Sequence, residues 1–379
     1  MKTFRTIFLG SGFSKPAGLP LGTELFGQVR SLVSSKYGEN NVVEKDLSHF
    51  LDYLNECEGR FETTETVDYE EFLSYLDIEH FLGFKGKDTW STEGNVSQLM
   101  IRRAIAEILY DKTPKILPPL YKRFVRQLNP EDWIYTFNYD TILESALDAE
   151  GIPYRLFPFR FTDIGNTYNL VDDSRSELVI LKLHGSINWF DRRGYDELLT
   201  LGQRPVAPYV PEHHIFGPKH IVEPIPLTDG PRSETDPLAL IYQVKDIGPI
   251  IKSNFLECTP LILSPSRTKI LYSQPLRDFW WGIQRTGGLS LSLGVIGYSL
   301  PSHDFYARQA LYNVYKNYIG YEPDLEYAGR KKSKFRILDW RPDKHMTGEL
   351  LATYRFVDPD KIEIILDGFN EDSSDWFLQ

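Results

Sequence analysis

The sequence is poor in three features that each indicate a class of protein. Its 379 residues include only two cysteines, Cys57 and Cys258, which excludes a disulfide framework and a four-cysteine zinc site. Basic residues are outnumbered 42 to 53, and the net charge of -11 argues against general affinity for nucleic acid, whose phosphates attract clustered lysine and arginine. No apolar run approaches the roughly 18 residues of a membrane span, and a signal-peptide pattern is missing. We therefore expect a cytoplasmic protein with no direct nucleic acid binding and no membrane contact.

What the chain does have is a series of short apolar runs separated by helical patterns. The runs are mostly continuous, as in strands covered on both faces, at residues 6–9, 133–137, 178–183, 260–263, 291–296, 335–338 and 362–366. Helical patterns follow at residues 23–33, 69–82, 97–110, 118–128, 141–149, 274–285 and 303–318. This alternation predicts an α/β fold, a Rossmann-like open and mostly parallel sheet flanked by helices.

The spacing of the predicted strands is uneven. About 120 residues, mostly helical in pattern, separate the first strand from the second. We predict that residues 30–128 form a mostly helical insertion subdomain within a single domain of residues 1–379. Residues 202–237 hold eight of the 24 prolines, and we expect a loop excursion there that acts as a lid or an oligomer contact.

A glycine turn, Gly10-Ser11-Gly12, follows the first predicted strand. Such a turn lets the backbone approach a pyrophosphate, and the amides and the next helix then face the anion. The last glycine of the usual G-x-G-x-x-G is replaced by Lys15, and the acidic residue expected about 20 positions later is not clearly present. A dehydrogenase-type site is therefore disfavoured, and an ordinary strand-to-helix turn is the alternative.

Polar residues also follow the next two predicted strands of the chain. Asn138 and Asp140 follow the second strand, and His184 follows the third. Because ligands bind at the carboxyl ends of parallel strands, these three side chains are candidates for contact with a ligand. A histidine placed there can act as a general base or hold ribose hydroxyls. Turn and cap roles for the first two, and a structural role for the histidine, are the alternatives.

Two later strand ends repeat this arrangement. Gly297 and Ser299 follow the strand at 291–296, where they could bind a phosphate or a ribose. Asp339 follows the strand at 335–338 and could accept hydrogen bonds from ribose hydroxyls. An exposed acidic residue in a turn is the alternative for Asp339.

Taken in order, the segments GSGFSKPAGLP, TFNYD, LHGS and GYSL resemble motifs of the sirtuin-like superfamily. They are similar to its glycine-alanine-glycine-x-serine turn, its Asn-x-Asp segment, its His-Gly pair and its Gly-x-Ser phosphate contact. The resemblance spans about residues 4–340 and implies NAD as substrate, with no metal. It implies three groups of contacts: Gly10, Ser11, Gly12 and Ser14 on the pyrophosphate; Asn138, Asp140 and His184 as catalytic residues at the nicotinamide ribose; Gly297 and Ser299 on the adenosine side.

Two departures from the deacylases of that superfamily favour another reaction. Deacylases usually carry Asp-Phe-Arg after Gly-Ile-Pro, whereas here Gly18-Leu19-Pro20 leads to Leu21-Gly22-Thr23. They also carry a four-cysteine zinc module, which two cysteines cannot supply. The stretch from Gly18 to Leu25 looks more like bacterial antiphage sirtuin-like proteins, which resemble NAD hydrolases and in some cases work with a HerA-type ATPase.

The resemblance implies cleavage of the nicotinamide–ribose bond of NAD to nicotinamide and ADP-ribose. A deacylase or ADP-ribosyl transferase is one alternative, and a non-catalytic nucleotide-sensing or scaffold subunit is the other. Since constant loss of NAD is lethal to a host, we expect activity to depend on assembly. The expected partners are further copies of the chain, in a homo-oligomer, or a HerA-like ATPase.

Overall fold

The computed structural model describes residues 4–86, 93–165, 168–202, 210–253, 256–301, 304–321, 331–343 and 347–379. The strands are β1 (Arg5–Leu9), β2 (Trp133–Thr136), β3 (Tyr154–Arg155), β4 (Phe161–Ile164), β5 (Asn169–Val171), β6 (Leu178–Lys182), β7 (Trp189–Asp191), β8 (Pro224–Pro226), β9 (Ile241–Val244), β10 (Ser292–Ile296), β11 (Phe335–Leu338) and β12 (Ile362–Ile365). The α-helices are α1 (Ser11–Ser14), α2 (Gly22–Tyr37), α3 (Val42–Glu58), α4 (Tyr69–Phe81), α5 (Val96–Lys112), α6 (Pro119–Val125), α7 (Ile142–Glu150), α8 (Arg193–Gly202), α9 (Gly248–Ile251), α10 (Arg277–Trp280), α11 (Phe305–Gly320), α12 (Thr347–Thr353) and α13 (Glu371–Leu378).

Seven strands form one sheet in the order β12-β11-β10-β1-β2-β6-β3. Every neighbouring pair in it runs parallel, so the predicted α/β fold with an open, mostly parallel sheet is confirmed. All residues of β1, β6 and β10 are buried, as their continuous apolar sequences predict. Two small antiparallel sheets, β4-β5 and β7-β9-β8, are additions that the sequence patterns did not indicate.

A buried ion pair ties the amino end of this sheet together. Arg5 Nη2 lies 2.7 Å from Asp132 Oδ2, and the two side chains are 5% and 0% exposed. The same guanidinium donates to the backbone oxygens of Gln127 and Leu378. Because a buried charge without its partner is strongly unfavourable, Arg5 fixes β1 against both the start of β2 and the C-terminal helix.

The chain between β1 and β2 carries helices α2 to α6; that residues 30–128 form an insertion subdomain stays a prediction. Helix α5 is buried along most of its length and packs against α2, α3, α4 and α9. The buried apolar side chains of this region and of the sheet belong to one hydrophobic cluster, from Ile7 to Leu378. None of the helices within the described ranges combines the length and apolar character needed to cross a bilayer.

Two of the predicted elements are wrong. Residues 260–263 form no strand of the sheet and make only an isolated antiparallel bridge, between Ile262 and Gly185. Residues 274–285, predicted as one helix, break into α10 and two 3-10 helices, Gln274–Leu276 and Ile283–Arg285, because Pro275 and Gly282 interrupt the pattern. In the proline-rich segment 202–237, residues 203–209 lie outside the described residues, and the remainder carries β8.

The turns that follow β1 and β10 touch backbone to backbone. Gly12 N donates to Gly297 O at 2.9 Å, and Gly10 N donates to Ile296 O at 2.9 Å. A Cβ atom on Gly10 would lie 2.5 Å from Gly297 O, and one on Gly297 would lie 2.5 Å from the backbone of Gly12. Gly297 also has a φ of +62°, which favours glycine. Glycine is therefore required on both sides of this contact.

We predict that Gly297→Ala lowers the free energy of unfolding by more than about 1 kcal/mol, because alanine is strained at positive φ and its methyl group meets backbone. Gly27→Ala is the matched control, since no atom lies within 4 Å of the added Cβ and Gly27 lies inside α2. That variant should gain about 0.5–1 kcal/mol. Urea denaturation of both variants checks the prediction, and equal stability would contradict it.

Candidate functional site

The turn after β2 is bonded to the glycine turn after β1. Asn138 is 9% exposed, and its Nδ2 donates to Gly10 O at 2.9 Å and to Ser14 Oγ at 3.2 Å. Its own amide N–H donates to Thr136 Oγ1 at 3.1 Å. The side-chain nitrogen of Asn138 therefore links the turns after β1 and β2. Its side-chain oxygen, Oδ1, is left for contact with a ligand.

Asp140 lies on the same turn and caps the start of α7. Its Oδ1 accepts from Ile142 N at 3.0 Å. Burial raises the pKa of Asp140, while the positive charge of Lys182 and a hydrogen bond from Ser14 oppose that shift. The cap role considered as an alternative is thus present, and the carboxyl also lies within reach of the glycine turn through Ser14.

A buried lysine, Lys182, is bonded to the turn that carries Asp140. Lys182 Nζ donates to the backbone oxygen of Asp140 and lies 2.7 Å from Glu144 Oε1, with side chains 0% and 5% exposed. The sequence analysis missed both residues, although a lysine inside the apolar run LVILKL was a visible signal that a buried partner must exist. Lys182 fixes β6, the Asp140 turn and α7 to one another.

His184 follows β6 and lies among aromatic rings. Its ring centroid is 5.2 Å from that of Phe137, 6.4 Å from Tyr139 and 6.1 Å from Trp280. Trp280 Nε1 donates to Leu183 O at 3.0 Å, which fixes the indole beside the histidine. The side chain of His184 is 7% exposed, so it is largely shielded from water.

One side of His184 faces a carboxylate that the sequence analysis did not identify. His184 Nε2 lies 3.6 Å from Asp304 Oδ2, and Asp304 Oδ1 lies 3.0 Å from Lys269 Nζ. Tyr298 donates its hydroxyl to Asp304 Oδ2 at 2.7 Å. Burial would raise the pKa of Asp304, but the charges of His184 and Lys269 outweigh it and lower that pKa to about 2.

The remaining predicted residues lie at the same edge of the sheet but differ in exposure. Gly10 and Ser14 are buried, Ser11, Gly12 and Gly297 are partly exposed, and Ser299 is exposed. Leu300, next to Ser299, is fully buried with a φ of 52°, a strained conformation for leucine. Asp339 directly follows β11, and its Oδ2 lies 3.0 Å from Arg341 Nη2, so its carboxylate already has a cationic partner.

His184 is largely buried in this conformation, with its side chain 7% exposed. A cavity of about 680 Å³ lies beside α7 and β3, and a second of about 210 Å³ lies beside α8. Neither is lined by Asn138 or His184. The aromatic side chains around His184 leave little of its surface for contact with a ligand in this conformation.

The structure also places three potential metal ligands near one another, whereas the sequence analysis expected no metal. The ligand atoms of His214, Glu257 and Cys258 lie within 4.8 Å of one another. Burial raises the pKa of the Cys258 thiol to about 12, so this group is protonated at neutral pH, a form that binds metals poorly. We assign no metal to it.

Residues 132–209 match the family model of the SIR2-like domain, and this segment carries Asn138, Asp140 and His184. Among solved structures, the chain is similar to Sir2 with an inhibitor, 2′-O-acetyl-ADP-ribose and deacetylated p53 peptide (9% identity, 98% of this chain and 91% of that chain, TM-score 0.34). It is also similar to a Sir2–p53 peptide–NAD⁺ complex (11% identity, 98% and 91%, TM-score 0.34). No curated protein sequence matches the chain. Function has to be argued from the site's own residues.

We predict that Lys182→Met lowers the free energy of unfolding by about 3–5 kcal/mol, because it leaves the Glu144 carboxylate buried without a partner. Adding Glu144→Leu should recover much of that loss, since the double variant no longer buries the Glu144 carboxylate without a partner. Urea denaturation of the single and double variants measures both effects. Lys219→Met removes the exposed pair with Glu212 and should change stability little; a similar loss there would refute the role of burial.

Proposed function

We propose that the chain hydrolyses NAD⁺ at the nicotinamide–ribose bond and releases nicotinamide and ADP-ribose. The observation that carries the proposal is the bonding of Asn138 to the glycine turn, with His184 at the end of the adjacent strand. A phosphate-approaching turn, an amide and a histidine thus follow three neighbouring strands, β1, β2 and β6. In open parallel sheets such edges bind nucleotides.

The reaction needs little acid catalysis, because nicotinamide leaves as a neutral molecule. Positive charge builds on the ribose as the bond breaks, so the site must hold the sugar, tolerate the cation and admit one water. In the proposed arrangement the Asn138 carbonyl oxygen accepts from the water or from a ribose hydroxyl. The Asp140 carboxyl, near Lys182, stabilises the developing cation or orients its neighbours.

His184 is the proposed general base. Its low exposure lets it accept a proton from water or a ribose hydroxyl without competition from bulk solvent. The proposed pyrophosphate contacts are Gly10, Ser11, Gly12 and Ser14, and those on the adenosine side are Gly297 and Ser299. For Asp339, contact with ribose hydroxyls requires that its pair with Arg341 rearranges.

The burial of His184 beside Trp280 supports a dependence of activity on assembly. Trp280 and its neighbours cover His184, and this region consists of short helices such as α10 and residues 283–285. Short helices with few internal hydrogen bonds open at low free-energy cost. In this proposal, a homo-oligomer or a HerA-like ATPase partner shifts the region to an open state, and the resulting NAD depletion in the cytoplasm serves antiphage defence.

Two other functions use the same residues. A deacylase or ADP-ribosyl transferase would need an acceptor molecule, so NAD alone would not be consumed at a useful rate. A non-catalytic nucleotide-sensing or scaffold subunit would bind NAD or ADP-ribose without turnover. The polar groups that converge beside a buried histidine favour catalysis over a role in nucleotide sensing or as a scaffold.

We expect the pure protein, alone or with proteins encoded beside it, to release nicotinamide from NAD⁺ without an acceptor. Asn138→Ala and His184→Ala should each reduce the rate by about 100-fold or more, because each removes a group that acts on the water or the ribose. Chromatography of nicotinamide and ADP-ribose measures this. Asp246→Asn, which alters an exposed hydrogen bond to Tyr110, should retain wild-type activity.

Equal activity in the wild type and both alanine variants would remove these residues from the site. Nicotinamide release that requires an acylated peptide or another acceptor would replace hydrolysis with group transfer. Binding of NAD without turnover, with every candidate partner present, would support the sensing role instead.

A further inference from the structure

We propose that Asp304 is a positioning residue that orients His184 and stabilises its protonated form during the reaction. The inference rests on the proposed function for the reaction itself, but the pairing of the two side chains can be measured without it. Asp304 lies outside both the motif GYSL and the segment 132–209. It lies beyond them, immediately before α11.

Three side chains hold the Asp304 carboxylate in place. Tyr298 donates to Oδ2, Lys269 lies 3.0 Å from Oδ1, and His184 Nε2 lies 3.6 Å from Oδ2. The carboxylate side chain is only 3% exposed. At 3.6 Å the two atoms are too far apart for a hydrogen bond, so in this conformation the carboxylate acts on the imidazole ring through its charge. A hydrogen bond formed on substrate binding would restrict the ring and its tautomer, as a paired acid does for catalytic histidines generally. The 3.6 Å separation suits an unliganded site, where such contacts tighten only when substrate binds.

The charges around the pair determine how strongly it acts. Lys269 offsets part of the negative charge of Asp304, so His184 experiences a moderated field. Within the described residues, the other titratable groups around the pair include the hydroxyls of Tyr139, Tyr298 and Tyr306, whose pKa values are raised by burial, and the Glu70 carboxylate, which acts on Tyr139 and Tyr298. Removal of Asp304 and removal of Lys269 should therefore shift the titration midpoint of His184 in opposite directions.

The chemistry of the step balances with water as the nucleophile. The C1′–N bond of NAD⁺ breaks with its electron pair going to nicotinamide, and the water oxygen forms the new bond to C1′. His184 takes the proton released by that water and later gives it to solvent. Asp304 neither bonds to the substrate nor takes the proton, and its carboxylate stabilises the imidazolium ion while it exists.

The test follows His184 directly by NMR of ¹³C-labelled histidine, with His184→Gln identifying its signal among the eight histidines. We expect Asp304→Asn to move the His184 titration midpoint to lower pH, because the imidazolium loses its counter-charge. Lys269→Met should move the midpoint to higher pH, because Asp304 then acts on the histidine without an opposing charge. A residue that only supports the fold would not produce shifts of opposite sign.

The same variants are then assayed for nicotinamide release across pH. We expect Asp304→Asn to lower kcat about 10- to 100-fold and to move the acidic limb of the rate profile to lower pH, with KM little changed. Asp132→Asn is the matched control, since it also neutralises a buried carboxylate paired with a cation, at the opposite end of β2. It should lower thermal stability without moving the His184 midpoint or the pH profile.

The outcomes separate the two proposals. Opposite midpoint shifts without NAD turnover in any condition would support the pairing and overturn the hydrolase. Turnover with a His184 midpoint that is unchanged in both variants would support the hydrolase and overturn the role of Asp304. If Asp304→Asn fails to fold, an unchanged midpoint in Lys269→Met alone overturns the role.

Discussion

The backbone contact between the turns after β1 and β10 is the constraint on which the site depends. Gly10 and Gly12 meet Gly297 so closely that a single added Cβ atom would displace backbone. Asn138, which follows β2 on the other side of β1, donates a hydrogen bond from Nδ2 to Gly10 O. The ends of β1, β2 and β10 are thereby held together by two backbone hydrogen bonds and one side-chain hydrogen bond, and His184 follows β6, the strand next to β2.

The sheet could be predicted because its information is local. Continuous apolar runs such as those of β1, β6 and β10 have few alternatives to burial in a parallel sheet, and the structure contains them within a residue of the predicted bounds. The segment 260–263 has the same composition but runs against the β6 turn as an isolated bridge. A short apolar run indicates that a segment is buried, but it does not indicate which strand pairs with that segment.

The site was only partly predictable, and the reason is sequence distance. Asn138, Asp140 and His184 follow strands, so their position at one edge could be inferred from the strand pattern. Asp304 and Lys269 come from segments without a strand or a recognised motif, and only the folded chain brings their charges to His184. Residue types that pair through space leave no spacing in the sequence from which the pair could be read.

The central place of β1 has a consequence for how the protein is made. β1 pairs with strands that begin at Trp133 and Ser292. During synthesis, its second edge therefore stays unpaired until β10 has been made. A nascent chain that ends before β10 exposes an open strand edge, which is prone to aggregate and calls for chaperone protection. A chain that ends before β10 also lacks the backbone contact between the turns after β1 and β10.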